Sequence, residues 1–173
     1  MFTINIYLKF ALIALCLIGG TALAFIYGFW YAFPFLLIGI GLLASYILLG
    51  TVQSAAAMVQ TMQMDEAEKR LSLTFKPNWL YKDFRPVYYM LQGTVATQEG
   101  DEAAAEKWFQ EAEDGDLGGD NEKAMVALQL ANLQGNKGKW NAAKMQMQKL
   151  KKLKVTEPAL KDQIKQFEKA FSN

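Results

Sequence analysis

The sequence predicts an all-α protein in two parts: an N-terminal two-helix transmembrane hairpin, then a helical domain of two helix pairs and a final helix. Three observations carry that prediction. The charges are segregated: of 18 Lys and Arg and 17 Asp and Glu, only Lys9 precedes Asp65, so Phe10 to Met64 is a run of 55 residues without a formal charge. From Pro86 onward apolar residues recur at the 3.6-residue helical period. No alternating run long enough to read as a strand interrupts either pattern. The whole-chain averages, 52% hydrophobic and 20% charged, are those of an ordinary globular protein, so the segregation is the informative quantity.

The first element is expected over residues 6–27 and the second over 31–49, each near the 20 apolar residues that cross a hydrocarbon core. Gly28-Phe29-Trp30 is too short a connection for a domain and makes the two a hairpin, with Pro34 just inside the second span. Tyr27, Trp30 and Tyr31 cluster at the turn, where amphipathic rings favour the membrane–water interface. Gly20 and Ala24 on the first span, and Gly41 and Ser45 on the second, have the small-xxx-small spacing that lets helices pack closely in lipid. Positive charge flanks both outer ends (Lys9 before the first span; Lys69, Arg70, Lys76, Lys82 and Arg85 after the second) and is absent from the turn. That asymmetry places both termini in the cytoplasm, and a bacterial inner membrane is the expected location. A cleaved signal peptide ending near Thr21-Ala22-Leu23-Ala24 is the competing reading. The length of the apolar run and the second span directly behind it favour an uncleaved hairpin.

Residues 1–50 thus form the hairpin, 51–85 a juxtamembrane helix and linker, and 86–173 the helical domain. Residues 51–63 are uncharged but only weakly apolar and are expected to continue the second helix through Leu71, as a solvated connector or a surface for a partner's helix. Residues 72–85 carry Pro77, run into Pro86 and read as loop. Their aromatics, Trp79, Tyr81 and Phe84, suit either the soluble core or the membrane surface.

Five helices are expected beyond this point, near 86–98, 102–113, 121–135, 139–153 and 157–171. Pro86 suits a first turn. Asp120 and Thr156 are placed to cap the third and fifth. Ala105, Trp108, Phe109 and Ala112 line one face of the second helix, and Ala124, Leu128 and Ala131 one face of the third. Trp140, Ala143, Met147 and Leu150 line the fourth, and Leu160, Ile164, Phe167 and Phe171 the fifth. The pairs repeat: Gly100 is followed at offsets of five, nine and twelve by Ala105, Phe109 and Ala112, and Gly138 at the same offsets by Ala143, Met147 and Leu150. The two glycines are 38 residues apart. Such internal periods mark repeat architectures.

With Gly93 before the first turn and Ala131 before the second, this pattern resembles the tetratricopeptide repeat over residues 86–171. That family has a small residue in the first helix of each unit and an Ala, an aromatic and an Ala in the second. Departures are Met147 at the aromatic position, Gln92 and Ala96 where leucine and tyrosine are usual, four extra residues at 114–120, and no closing proline after the first unit. The resemblance implies a capping function for the last helix and an inner groove lined by first helices, with Met90, Thr94, Leu128 and Asn132 facing it.

Chemistry is constrained from the same residues. The chain has no histidine and one cysteine, Cys16, inside the apolar run. This removes Ser-His-Asp and Cys-His catalysis, His-ligated metals, zinc clusters and dithiol redox chemistry. No glycine-rich phosphate loop follows a strand, so no catalytic or cofactor residue is assigned and no enzyme activity or small-molecule substrate is expected. Asp114 to Glu122 is acid-rich, but as a calcium loop it would place Gly118 at a ligand position and Met125 at the closing Glu position, so no metal is assigned. Glu99 to Glu122 carries ten acids and one base, and Lys123 to Lys154 eight bases and no acid. These blocks can attract each other within one molecule or between molecules. Lys149, Lys151, Lys152 and Lys154 can alternatively meet an anionic surface. Without an RNA-binding motif or arginine in that run, nucleic acid is not an expected partner. The expected function is a membrane-anchored protein–protein interaction module, a scaffold or adaptor. The alternative is a constitutive accessory subunit of a larger membrane complex, and a lipid- or ion-responsive regulator is a third class. Protein partners and membrane lipid are the expected contacts.

Overall fold

The computed structural model describes residues 6–49 and 51–172. Among them are nine α-helices, one 3-10 turn and no strand. The helices are α1 (Ile6–Tyr27), α2 (Phe29–Leu49), α3 (Val52–Gln60), α4 (Met64–Ser72), α5 (Phe84–Glu99), α6 (Glu102–Asp114), α7 (Asp120–Asn136), α8 (Trp140–Leu150) and α9 (Pro158–Ser172), with the 3-10 turn at Pro77–Trp79. The chain divides into two compact units, one ending at Tyr81 and the other beginning at Lys82.

In the first unit α1 and α2 form an antiparallel helical hairpin. The chain reverses at Gly28, whose φ of 94° is left-handed and suits glycine. Phe10 meets Tyr46 edge-on at 5.0 Å between ring centroids near the open end. Close approach is made by small residues. A Cβ placed on Gly39 would lie 2.8 Å from Leu17 Cδ2 and 3.2 Å from Cys16 Cβ, and one on Gly20 would lie 3.1 Å from Leu36 Cδ2. Ile13, Cys16 and Ala32 complete the buried seam. Gly20 is thus closely approached by α2, and Ala24 on the same helix is half-buried. On α2 the expectation needs correcting: the contact residue is Gly39, whereas Gly41 has open space around it and Ser45 is half-buried. Residues two apart do not share a helix face, so burying Gly39 turns Gly41 outward. The outer faces carry large apolar side chains such as Leu15, Ile18, Phe25, Leu37 and Ile40, all exposed. Both helices are long and apolar enough to cross a membrane, and only 17% and 11% of their apolar windows are buried. A core helix of a water-soluble domain would be mostly buried.

The continuous helix expected through Leu71 is instead two helices, α3 and α4, folded on each other. The reversal is at Met62, whose φ of 60° is left-handed. Gln63 N–H bonds Met58 O at 2.9 Å and Met62 N–H bonds Val59 O at 3.0 Å, the paired bonds of a Schellman helix end. The Thr61 hydroxyl also bonds the carbonyls of Ala57 and Met58, competing with helix continuation. Folding back buries Val52 and Ala55 on α3 and Ala67 and Leu71 on α4. The pair is closed at its base by buried hydroxyls: Thr51 Oγ1 lies 3.0 Å from Thr74 Oγ1 and donates to Arg70 O, and Arg70 Nη1 donates to Ser54 Oγ at 2.8 Å.

In the second unit α5 packs on α6 and α7 on α8, with α9 against α7. Gly100 (φ 81°) and Gly138 (φ 71°) close α5 and α7 with the same paired bonds as Met62: Asp101 N–H to Ala96 O at 3.0 Å, and Lys139 N–H to Gln134 O at 2.8 Å. One core gathers Met90, Ala105, Phe109, Ala112, Val126 and Leu130. A second gathers Ala124, Leu128, Ala131, Met147, Leu150 and Leu160, with Ile164 and Phe167 packed on it. The side chain of Phe171 lies outside the described residues.

Three local expectations are corrected. Asp120 is the first residue of α7, not its cap, because its carboxylate accepts from Lys154 N–H. Thr156 precedes Glu157, whose carbonyl accepts from Lys161 N–H, and its hydroxyl and N–H are engaged with Asn121. Trp140 is 56% exposed and does not join the stripe of Ala143, Met147 and Leu150.

The left-handed residues Met62, Gly100 and Gly138 are evenly spaced, 38 residues apart. Seven positions before each is a small residue: Ala55, Gly93 and Ala131. Five and nine positions after each stand Ala67 and Leu71, Ala105 and Phe109, Ala143 and Met147. All nine are buried. Thus α3–α4 has the internal pattern of α5–α6 and α7–α8. The pairing of sizes is compensatory: the largest second-helix residue, Phe109, faces the only glycine, and a Cβ on Gly93 would lie 2.8 Å from its ring. Where the second-helix residue is Leu or Met, the first-helix position is alanine. Gly93→Ala is expected to cost about 1–3 kcal/mol by overpacking, and distinctly less in a Phe109→Met background. A double-mutant cycle from denaturation midpoints of the full-length chain in detergent checks this; strictly additive costs would contradict it.

Candidate interaction surfaces

The acidic and basic blocks of the sequence meet within the second unit. Glu106, on α6, is only 12% exposed at its side chain and accepts from Lys137 Nζ at 2.7 Å and Lys139 Nζ at 3.2 Å, both from the turn between α7 and α8. Further along α6, Glu113 accepts from Lys149 Nζ at 2.6 Å and Gln146 Nε2 at 3.1 Å, both on α8. Asp120 accepts from Lys154 N–H at 3.0 Å, and Asn121 Oδ1 accepts from Thr156 N–H at 2.9 Å, tying the start of α7 to the chain entering α9. Lys137, through its hydrogen bond, holds the Glu106 carboxyl below the usual glutamate range, Lys139 adding to it against the opposing effect of burial. Asp116 is lowered by its ion pair with Lys123 at 2.9 Å, but it is fully exposed and contributes little. The loop from Asp114 to Glu122 therefore directs Asp116 to Lys123 and Asp120 to backbone. Burial, and then the neighbouring Glu111, raise Tyr89, whose ring stacks on Trp108 at 5.7 Å.

Helix geometry divides the four C-terminal lysines between different recesses. Lys149 and Lys152 border a recess of about 380 Å³ with Glu113, Lys123 and Leu153. Lys151 instead borders a wider groove of about 570 Å³ between α8 and α9, with Lys144, Lys165, Glu168 and Lys169. Lys154 lies beyond α8, its N–H on Asp120.

Of the four residues expected at an inner groove, the structure brings two together. Leu128 and Asn132 on α7 line a groove of about 320 Å³ opposite Gln163, Gln166 and Phe167 of α9, with Gln129 beside them. Met90 is 7% exposed and belongs to the core around Phe109, because the apolar face of α5 wraps far enough to include it. Thr94 is half-buried and returns its hydroxyl to Met90 O at 2.9 Å. The α9 wall was missed when that helix was read only as a cap. Its stripe of Leu160, Ile164 and Phe167 already orients the helix, and Gln163 and Gln166 flank that stripe.

Family models, curated proteins and solved structures provide no match to this chain.

Glu106→Gln is expected to destabilise the folded chain by about 1–2 kcal/mol at neutral pH, the scale of a partly buried charge-assisted contact. Its pKa is depressed on folding, so the stabilisation is complete above the ordinary value of 4.5 and is lost as pH falls through the lower folded value. The gap between wild type and variant should close on acidification below 4.5. Denaturation midpoints across that range check this; a pH-independent gap would contradict it.

Proposed function

We propose that this chain is a membrane-anchored protein–protein interaction module, a scaffold or adaptor whose tetratricopeptide-like helix pairs present a small groove to the cytoplasm. In this reading α1 and α2 are an uncleaved transmembrane hairpin in a bacterial inner membrane, with both termini cytoplasmic. The observation that carries the reading is the groove between α7 and α9. Its walls hold amide side chains, Gln129, Asn132, Gln163 and Gln166, over the apolar Leu128 and Phe167. Amides offer donors and acceptors to a peptide backbone, and an apolar floor takes one or two side chains. The groove suits a short peptide or one helix. The third helix pair, α3–α4, supports the repeat reading because it carries the same buried small and large positions.

A second reading, a constitutive accessory subunit of a membrane complex, is favoured by one observation. Gly41 faces outward with nothing within 4 Å, which leaves a shallow place on α2 where another helix can approach closely.

A photo-crosslinking residue at Asn132 or Gln163 in native membranes, with Lys107 on α6 as the control position, tests the adaptor reading. Discrete adducts from the groove positions alone are expected. Adducts confined to a hairpin position such as Gly41 would favour the accessory subunit, and equal labelling at all positions would contradict both readings.

A further inference from the structure

The aromatics between α4 and α5 suit either a soluble core or a membrane surface by sequence, and the structure separates the two. Phe75, Trp79 and Tyr81 are 62%, 51% and 50% exposed, while Leu80 between them is buried. Both ends of this segment are bonded to the last turns of α2: Tyr81 N–H donates to Leu48 O at 2.7 Å, and the Tyr46 hydroxyl donates to Leu73 O. The segment is therefore held at the level where the second apolar helix ends. Phe75 and Trp79 meet edge-on at 5.7 Å, and Lys76 Nζ lies 5.8 Å and 5.2 Å from their ring centroids. At the other end of the hairpin Tyr27, Phe29, Trp30 and Tyr31 are all exposed. From Trp30 to Leu48 the helix rises about 27 Å at 1.5 Å per residue, which matches a hydrocarbon core about 30 Å thick.

We propose that residues 73–81 form a platform seated on the lipid surface, with Phe75, Trp79 and Tyr81 at the acyl–headgroup boundary and Lys76 on headgroup phosphate. The inference rests on the membrane reading of α1 and α2 and goes beyond it, because a span alone requires nothing of this loop. Amphipathic rings are favoured at that depth, and an ammonium held beside them is placed at the level of anionic headgroups. The lipid is favoured over a protein partner because the exposed rings are tethered to the end of a helix whose outer face is apolar, and because girdles at two levels match the thickness of a bilayer. With both girdles engaged, the platform fixes the depth of the hairpin and the point at which the chain leaves the membrane.

The test uses full-length protein in phosphatidylcholine–phosphatidylglycerol vesicles. One variant keeps only Trp79 (Trp30→Phe, Trp108→Phe, Trp140→Phe), and a companion keeps only Trp30. Lipids brominated near the headgroup end of the chains are expected to quench both tryptophans, with Trp79 protected from aqueous iodide. Quenching of Trp30 by lipid together with quenching of Trp79 by iodide alone would overturn the platform and leave the span in place. Failure of lipid to quench either residue would overturn both. Should loss of Trp108 unfold the chain, a nitroxide on Trp79→Cys in a Cys16→Ala background gives the same reading. Collision with oxygen rather than aqueous nickel supports the platform, and the reverse overturns it.

Discussion

Fifty-five consecutive residues without a formal charge must be accommodated before anything else in this chain can settle. The chain itself covers little of them: α1 and α2 bury a narrow seam through Cys16, Gly20 and Gly39, and leave their leucines, isoleucines and phenylalanines facing out. Burial of apolar surface is the main favourable term in folding, and here most of that surface has no partner among the described residues. In the membrane reading proposed above, a surrounding hydrocarbon phase supplies one. Close helix approach then comes from backbone contact at small residues, as expected where lipid is as apolar as the side chains.

The rest of the chain is organised around recurrent helix pairs. Each reverses at a left-handed residue, and each buries a small first-helix residue seven positions before it and a larger second-helix residue nine positions after it. In the second unit Glu106 with Lys137 and Lys139, and Glu113 with Lys149, link α6 to the α7–α8 turn and to α8. Part of each charge block is thus paired inside one molecule, whereas the groove between α7 and α9 is lined by uncharged residues.

Much of this was legible in the sequence, and the misses have physical causes. The turns at Gly100 and Gly138 could be read because glycine advertises a positive φ. The turn at Met62 could not, since methionine rarely adopts that conformation and the flanking residues are uncharged, like the span before them. The repeat spacing was nonetheless present in Ala55, Ala67 and Leu71. Small-xxx-small spacing points to Gly41 with Ser45, whereas the rotation of a helix against its neighbour is fixed by contacts that spacing does not contain, and these select Gly39. Leu128 and Asn132 share one face of α7 at helical spacing and lie together on one wall of the α7–α9 groove. Met90 was misplaced because a short helical stripe does not show how far around the helix burial extends.

The measurement that bears most directly on the central claim is the intact mass of the full-length chain recovered from alkaline-washed membranes. The account predicts a species retained in the membrane pellet whose mass includes both α1 and α2. A shorter chain beginning after Ala24, or an intact chain released into the wash, would contradict it.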